Sequence, residues 1–395
     1  MVGTRNHSSN SSAFAIRSGG HTPFAGAANI NNGVTIDLRA MDSVNVSSDQ
    51  TITSVGAGSI WKNIYEELQL MNLTVLGARV AGLGVGGLIT GGGISFFAPE
   101  KGFACDNVVN MEIVLANGQI VEANSHQNSD LFRALKGGSN NFGVVTRFDL
   151  QTFPHGNFWG GFIFYPGSTV PQQLKAFENY MDPKNFDPYA EMFCASGYDG
   201  ATQSFLVANG IYYTKPIANP PVFQPFTAIQ PKLGSTMRIS NIVDFVTEEE
   251  SQQAVNSRLW NSTVNSIESV AGIKHFIIFQ RVPAALPGNS LGLHPSKGPL
   301  VLCLLSITWN SAADDDLVNH VAKTLIDNIE RATKAVKLFG NFKYLNYAAN
   351  FQNPIGSYGQ KSVKNLQRVS KMYDPTGVFQ TGVPGGFKLF TPQLT

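Results

Sequence analysis

Apolar residues in the first part of the chain recur in short runs, which predict small strands and one clear helix. Strands are predicted at residues 14–16, 34–38 and 51–56. A helix is predicted over residues 59–70, with Ser59 as its N-cap, because apolar residues recur there every three or four positions. These apolar positions are Ile60, Trp61, Ile64, Tyr65 and Leu68.

Turn residues divide the next stretch. Asn117-Gly118 lies between apolar runs at residues 111–116 and 119–123, and this dipeptide between two such runs predicts a β-hairpin. Ser129 precedes a short helical pattern at residues 130–136 and is predicted to cap it.

The pattern changes near Pro154-His155-Gly156, where a strand predicted over residues 143–153 ends and a domain boundary is expected. Longer alternating runs then mix with longer helical patterns, which predict one sheet covered on one face by helices. The strands are predicted at residues 158–165, 189–198, 204–213, 238–246, 274–281 and 300–309. The helices are predicted at residues 171–180, 248–270, 312–338 and 362–372.

Composition narrows the class of protein. The 395 residues are 43% hydrophobic and 14% charged, which is typical of a globular chain of one or two domains. A formal net charge of +1 without a basic run argues against a nucleic-acid partner. No apolar stretch is long enough to span a bilayer, so no membrane partner is expected. No metal-ligand spacing is present, and no metal is expected.

Two glycine-containing segments are the strongest indication of a cofactor-binding site. The first is Arg17-Ser18-Gly19-Gly20-His21, and the second runs from Gly84 to Gly93 with six glycines in ten positions. Glycine lets a backbone approach another group closely, so the two segments indicate a chain folded around a bulky cofactor. A nicotinamide-binding Rossmann loop is the competing interpretation, but no convincing strand precedes Gly84.

The order of these motifs resembles the vanillyl-alcohol-oxidase / berberine-bridge-enzyme-like flavoproteins. The resemblance extends over most of the chain and is carried further by Cys105-Asp106-Asn107-Val108-Val109, Leu115-Ala116-Asn117-Gly118, the segment from Leu135 to Thr146, Asn346-Tyr347-Ala348, Ser357-Tyr358-Gly359 and Tyr373-Asp374-Pro375. It implies an α+β fold with a discontinuous, PCMH-type FAD-binding domain of two subdomains. The implied domains are residues 1–155, a substrate-binding domain with an antiparallel sheet covered by helices over residues 156–343, and a return to the FAD-binding domain over residues 344–395.

The resemblance also implies the residues that hold FAD. These are Arg17, Ser18, Gly19, Gly20, His21, Gly84, Val85, Gly86, Gly87, Gly91, Gly92, Gly93, Asn107, Asn141, Gly143, Val145 and Asn346. His21 matches the position at which many relatives bind the flavin 8α-methyl group covalently. Some relatives have a second, cysteine link, but Val80 stands at that position and Cys105 lies well beyond it. A single link, through His21, is therefore expected.

Tyr347 and Tyr358 are the candidate catalytic residues. In relatives the phenol that matches Tyr347 faces the substrate, next to the amide that matches Asn346. A phenol works as an acid or base only where a neighbour lowers its pKa from about 10, and the sequence does not reveal that neighbour.

The function implied is an FAD-dependent oxidase of the fungal specialised-metabolism branch. It would move a hydride from a small apolar or aromatic molecule to flavin N5, with dioxygen as the acceptor. A carbohydrate oxidase is the alternative within the family. A non-catalytic flavin-binding protein or a defective, truncated paralogue is the alternative outside it, because a segment usual in the family before Arg17 is missing here.

The cellular compartment stays open at this stage. Sequons suggest a glycoprotein of the secretory pathway, yet Met1 to Ser12 carries no signal peptide. The sequons lie at Asn6, Asn10, Asn45, Asn72 and Asn261.

Overall fold

A computed structural model describes residues 13–199, 204–256, 270, 272–284 and 286–390. The described residues divide into two compact units. The first unit belongs to Met1–Gly156, Ala284–Pro295 and Asn341–Thr395, and the second unit belongs to Asn157–Pro283 and Ser296–Gly340. The sequence pattern does not separate Ala284–Pro295 from the middle region. Which unit binds FAD and which binds substrate stays a prediction.

The helices and strands are numbered in chain order. The strands are β1 Phe14–Arg17, β2 Val34–Asp37, β3 Val44–Val46, β4 Ile52–Gly56, β5 Leu73–Val75, β6 Val108–Val114, β7 Ile120–Asn124, β8 Val144–Pro154, β9 Phe158–Pro166, β10 Ala190–Asp199, β11 Ser204–Tyr213, β12 Gly234–Ser235, β13 Arg238–Ser240, β14 Lys274–Arg281 and β15 Val301–Thr308. The α-helices are α1 Trp61–Gln69, α2 Val85–Thr90, α3 Ala98–Lys101, α4 Ser129–Leu135, α5 Val170–Met181, α6 Gln224–Thr227, α7 Ile242–Asn256, α8 Asp315–Ala335 and α9 Gln360–Tyr373.

Two sheets form the strand framework of the first unit. β1 and β2 pair in parallel, with Phe14 opposite Val34. The larger sheet is antiparallel and has the order β3-β4-β8-β6-β7, with β5 also paired to β8. The hairpin predicted at Asn117-Gly118 is confirmed, since it joins β6 and β7 and the Gly118 N–H donates to the Leu115 carbonyl at 2.9 Å.

Helix α1 forms where the apolar spacing predicts it, because Trp61, Ile64, Tyr65 and Leu68 all point into the core and are fully buried. Its predicted cap is wrong. The N-cap position is Ile60, which is held in a bridge to Gly84. Tertiary pairing therefore moves the helix start away from the serine hydroxyl.

The predicted cap of α4 is also wrong. The helix begins at Ser129, and its N-cap is Asn128, a residue in left-handed conformation with φ 49° and ψ 44°. The Asn128 side chain donates to the Glu122 carbonyl at 2.7 Å, so it ties the turn to β7 instead of capping the helix.

The second unit is built on a seven-stranded antiparallel sheet of order β12-β9-β11-β10-β14-β15, with β13 also paired to β9. One face carries an aromatic core in which α5 and α6 pack on alternate strand residues. Its fully buried members include Tyr165, Met192, Val207, Ile211, Phe223 and Phe226.

Helices lie on both faces of this sheet, so the prediction of helices on one face is wrong. Phe245 of α7 contacts Phe158 at 4.7 Å and Tyr212 at 5.6 Å between ring centroids. Tyr212 alternates along β11 with Ile211 and Tyr213, which both face α5. Helix α7 therefore covers the opposite face.

The strand predicted at residues 238–246 is also wrong. Only Arg238–Ser240 is extended, and α7 starts at Ile242. Ile242, Phe245 and Val246 are buried at helical spacing, and a short apolar run fits either structure. Of the helix predicted over residues 248–270, residues 248–256 belong to α7, and residues 257–269 lie outside the described residues.

Candidate functional site

The structure brings the two glycine segments into contact. A Cβ atom added to Gly84 would lie 2.2 Å from the Gly19 nitrogen, and one added to Gly19 would lie 2.5 Å from the Gly84 nitrogen. Real Cβ atoms do not approach backbone that closely, so only glycine fits at either position. The sequence-predicted residues from Arg17 to Gly20 and from Gly84 to Gly87 therefore meet in one place.

Ser18 joins these two segments to a third one. Its hydroxyl donates to the Ala57 carbonyl at 2.7 Å and accepts from the Gly86 N–H at 3.1 Å. The Val85 N–H donates to the Ser59 carbonyl at 3.0 Å. The turn from Ala57 to Ser59 is thus part of the site, although the sequence pattern assigns Ser59 only to a helix cap.

Polar atoms around this contact fit a polar ligand. The hydroxyl of Ser59, 1% exposed, and the buried Nε of Arg17 have no hydrogen-bond partner among residues 13–199, 204–256, 270, 272–284 and 286–390. Buried polar groups are almost always hydrogen-bonded, so such groups beside a glycine-lined contact indicate a ligand with polar atoms. The ribityl chain and phosphates of FAD offer such atoms. The residues present fit that cofactor.

His21 is exposed at the end of the first segment, directly after Gly20. Along the second segment, a Cβ on Gly87 would meet nothing within 4 Å, so the surface of α2 is open at that point. Val85 beside it is fully buried and anchors α2 in the core.

The returning part of the first unit packs on the far end of the second glycine segment. The Asn346 amide donates to the Leu88 carbonyl and to the Tyr344 oxygen, each at 3.0 Å. A Cβ on Gly91 would lie 1.9 Å from Asn346 Oδ1, so this amide fills the space that a side chain would need. Gly92 and Gly93 continue the contact, since the Gly93 N–H donates to the Tyr344 oxygen at 2.9 Å.

Two tyrosines of the returning part are embedded in protein. The Tyr358 hydroxyl donates to the Gly137 carbonyl at 3.1 Å, and the side chain is 3% exposed. Tyr344 is equally buried, and burial raises the pKa of both Tyr344 and Tyr358 well above the ordinary value of about 10. The environment of Tyr358 favours packing over catalysis, and its catalytic role stays a prediction.

Tyr347 has a different environment. Arg79 donates from Nη2 to the Tyr347 oxygen at 3.0 Å, although the two residues are 268 positions apart. The Tyr347 ring also meets that of Tyr344 edge to face at 4.8 Å. Arg79 is the neighbour that the sequence did not reveal. Its signal is that it is the one charged residue between Glu67 and Glu100.

Four other predicted cofactor residues pack against protein. The Asn107 amide donates to the Lys101 carbonyl at 2.8 Å, and the Asn141 amide donates to the Gly138 and Phe387 carbonyls at 2.8 Å each. A Cβ on Gly143 would lie 2.6 Å from the Val114 carbonyl oxygen, and Val145 pairs with Ile113 inside the sheet. These contacts explain the residue types without a ligand, and their cofactor role stays a prediction.

Comparison with known proteins identifies the class. The model of an FAD binding domain matches residues 6–124. The FAD-dependent monooxygenase drtC of Aspergillus calidoustus is 36% identical over 405 residues, covering 95% of this chain and 77% of the relative. The FAD-dependent monooxygenase tpcD of Cochliobolus heterostrophus is 37% identical over 418 residues, covering 95% and 80%.

Solved structures share the fold. 6-Hydroxy-D-nicotine oxidase from Arthrobacter nicotinovorans has a TM-score of 0.73 at 18% identity, covering 93% of this chain and 85% of that one. Glucooligosaccharide oxidase from Acremonium strictum, described with a 6-S-cysteinyl, 8α-N1-histidyl FAD, has a TM-score of 0.74 at 17% identity, covering 96% and 87%.

These matches and the glycine-lined contact define an FAD-binding oxidoreductase. The chain belongs to the vanillyl-alcohol-oxidase / berberine-bridge-enzyme-like family of FAD-dependent oxidoreductases with a PCMH-type fold. Within the described ranges, no helix has the length and apolar character to cross a membrane, and no group of His, Cys, Asp and Glu is arranged to hold a metal ion.

Proposed function

We propose that this protein is an oxidase that removes a hydride from a small apolar or aromatic molecule, with dioxygen as the final acceptor. The observation that carries the proposal is the Arg79–Tyr347 hydrogen bond beside the glycine segments, because it pairs a phenol with a cation next to the residues proposed to hold FAD. Bound FAD would supply the hydride acceptor. The protein's part is to hold the cofactor and to move a proton at the Tyr347 oxygen.

The residues proposed to hold FAD are those that meet at the first contact. Arg17 and Ser59 have side-chain polar atoms available to it, and the surface of α2 is open at Gly87. A visible absorption spectrum of the purified protein tests this directly: flavin bands are expected, and a colourless protein that takes up no added FAD would contradict the proposal.

A covalent link through His21 is proposed as well. His21 is exposed at the end of its loop, Val80 offers no thiol, and burial raises the pKa of the Cys105 thiol, which keeps it protonated and unreactive. Peptide mass spectrometry should find flavin on the His21 peptide. His21→Ala should release its FAD in acid, whereas Cys105→Ala, the matched control, should retain it. Flavin mass on a Cys105 peptide would contradict a histidine link.

The second unit supports an apolar or aromatic substrate. On the sheet face opposite α5, the partly exposed Phe164 stacks at 6.0 Å on the buried Phe162, which contacts Phe193 edge to face at 5.9 Å. Aromatic side chains of this kind bind flat, apolar molecules by burial and ring contacts. An anaerobic screen should therefore bleach the flavin with aromatic alcohols and phenols. Bleaching only by oligosaccharides would favour the carbohydrate-oxidase alternative.

A monooxygenase is the second candidate function, because curated relatives at 36% and 37% identity are named FAD-dependent monooxygenases. The two reactions differ in the fate of oxygen. An oxidase yields one hydrogen peroxide for each product, whereas a monooxygenase places one atom of isotopically labelled dioxygen in its product. Peroxide release and label incorporation, measured on the same sample, separate the two.

We also propose N-glycosylation, and with it passage through the secretory pathway. Asn45 and Asn72 are both exposed in the structure, as an acceptor must be. The sequons at Asn6, Asn10 and Asn261 lie outside the described residues. A shift in gel mobility after glycosidase treatment, smaller in the Asn45→Gln and Asn72→Gln double variant, is the expected result.

A further inference from the structure

Arg79 is a buried cation in an apolar, glycine-rich stretch. It is 9% exposed, and the nearest charged residues along the chain are Glu67 and Glu100. Placing a charge in such surroundings is costly unless the charge is used in specific interactions. One of those interactions is the hydrogen bond from Nη2 to the Tyr347 oxygen at 3.0 Å.

The chemistry of the pair fixes the direction of this hydrogen bond. A guanidinium has donors only, so the Tyr347 oxygen must accept and its own proton must point away from Arg79. A hydrogen bond from a cation is stronger than one from a neutral donor, and the burial of Arg79 limits its screening by water. The pair therefore places a cationic donor directly on the Tyr347 oxygen.

Tyr344 and Tyr358 differ from Tyr347 in their hydrogen-bond partners. Tyr344 accepts from neutral groups, the Gly93 N–H and the Asn346 amide, while Tyr358 donates to a backbone carbonyl. Both are buried and stay protonated. Of Tyr344, Tyr347 and Tyr358, Tyr347 is the one hydrogen-bonded to a cation and the one that is partly exposed.

The position of Tyr347 is also fixed by contacts with the second glycine segment, Gly84–Gly93. Asn346, the residue before it, is locked above Gly91 by its bond to the Leu88 carbonyl. Arg79 in turn precedes Val80, which is 5% exposed, and lies on the chain that leads into Gly84. The phenol and its cation are thus held from two separate parts of the chain at the same end of the glycine segment.

We propose that Arg79 is a positioning residue, which orients the Tyr347 phenol and stabilises its phenolate so that the oxygen can accept a proton from the substrate. In this step the O–H bond of an alcohol or phenol substrate breaks, its proton passes to the Tyr347 oxygen, which becomes a neutral phenol, and the electron pair stays on the substrate oxygen. The proposal rests on the proposed function of Tyr347.

Nitration with tetranitromethane tests it without any substrate, because the reagent attacks phenolate and not neutral phenol. The rate at each tyrosine is read by peptide mass spectrometry on the purified full chain. In the unaltered protein, Tyr347 should be nitrated before Tyr344 and Tyr358, and also before Tyr189, which is partly exposed like Tyr347. If Tyr189 or a buried tyrosine reacts first, the proposal fails, whatever the variants do.

Two variants give the sharper measurement. Arg79→Gln should slow nitration of Tyr347 by about tenfold, the loss expected when a hydrogen bond to a charged group is removed. Arg79→Lys keeps the charge and should restore most of the rate. The rate at Tyr189 should be unchanged in both variants, which shows that the reagent and the fold are comparable.

The sign of the change separates positioning from packing. If Arg79 only fills space, its removal loosens the structure and Tyr347 is nitrated faster or at the same rate, and either result would overturn the proposal. The outcome is also independent of the proposed reaction, since nitration needs neither turnover nor oxygen. An enzyme that lacks oxidase activity but shows the tenfold loss would disprove the oxidase and leave the Arg79–Tyr347 pair intact.

Discussion

Different kinds of contact form the interior of each unit. In the first unit, backbone meets backbone: Gly19 and Gly84 approach so closely that neither could carry a Cβ atom. In the second unit, side chains fill the interior, and Phe223 contacts the rings of Trp159, Tyr180 and Tyr213 within 6.5 Å. The first arrangement is a close backbone contact beside polar atoms that a ligand could use, and the second is a core filled by ring contacts.

This difference predicts that stability and cofactor binding can be separated by mutation. A core built from large side chains loses free energy when a side chain is removed, because a cavity remains. A contact built from glycines loses free energy when a side chain is added, because the backbone cannot yield. Damage to the side-chain core should leave FAD bound, whereas damage to the glycine contact should release FAD.

The largest effect is expected for Phe223→Ala in the second unit. Phe223 is fully buried, and a Phe to Ala change in a core costs about 4 kcal/mol of unfolding free energy. Urea denaturation should report this loss, while the folded fraction keeps its full complement of FAD. Leu174→Ala on α5 is the control, since Leu174 is 47% exposed and should change stability by less than about 0.5 kcal/mol. Loss of FAD from folded Phe223→Ala protein would contradict the separation.

Gly84→Ala should come next, and it acts in the opposite way. The added methyl would overlap the Gly19 backbone, so we expect a loss of about 3 kcal/mol together with weak or absent FAD binding. Gly87→Ala is the matched control in the same segment, because its methyl would meet no atom within 4 Å. In FAD-free protein it should be neutral or stabilising by up to about 1 kcal/mol, owing to the helix propensity of alanine. Equal losses in the two variants would show that the close approach is not the cause.

Much of the contrast between the glycine contact of the first unit and the side-chain core of the second could be predicted from the sequence, because it depends on local patterns. Glycine content predicted that the segments Arg17–His21 and Gly84–Gly93 fold around one cofactor, and the structure brings Gly19 and Gly84 into contact. Alternation predicted β11 at its observed bounds. The hairpin at Asn117-Gly118 needed only two residues and their flanks. Patterns of this kind are local, and the fold preserves them.

What the sequence could not predict depends on contacts between distant residues. The serine at position 59 precedes a helix, but the Ile60–Gly84 bridge moves the helix start past its hydroxyl. The Arg79–Tyr347 pair spans 268 positions and follows no period. The segment Ala284–Pro295 joins the first unit through contacts such as the Asn289 amide with the Asp106 carboxylate at 2.7 Å. No local sequence pattern predicts these contacts between residues that are far apart in the chain.

A partly buried lysine in the first unit, Lys388, gives the next prediction, which concerns pH. Burial lowers the pKa of Lys388 from its ordinary value to about 7, while its Nζ donates to Asn140 and to the Phe379 carbonyl. Between about pH 7 and pH 10.5 the unfolded chain binds the proton and the folded chain does not, so this residue makes stability rise with pH. Lys388→Met should therefore be more stable than the unaltered protein near pH 7, by an excess that shrinks by about 2 kcal/mol toward pH 9.

Chemical denaturation at several pH values measures that excess. Lys361→Met is the control, because Lys361 is exposed and its variant should follow the unaltered protein across the whole range. An excess that stays constant with pH would mean that Lys388 remains charged in the folded state, and the effect of the methionine would then be one of packing.

The smallest effect is expected for Tyr358→Phe, and it sharpens the comparison within the first unit. The variant loses one hydrogen bond to the Gly137 carbonyl, which should cost about 1 kcal/mol of unfolding free energy. The flavin spectrum and the rate of flavin reduction by a substrate found in the screen should not change.

Tyr347→Phe should show the opposite pattern. Its stability should change little, and flavin reduction should be more than about tenfold slower, equal to about 1.4 kcal/mol of transition-state stabilisation. Stopped-flow reduction and thermal melting of the two variants decide the matter. If Tyr358→Phe slows reduction as much as Tyr347→Phe, the buried phenol is part of the chemistry, and the distinction drawn from its backbone partner is wrong.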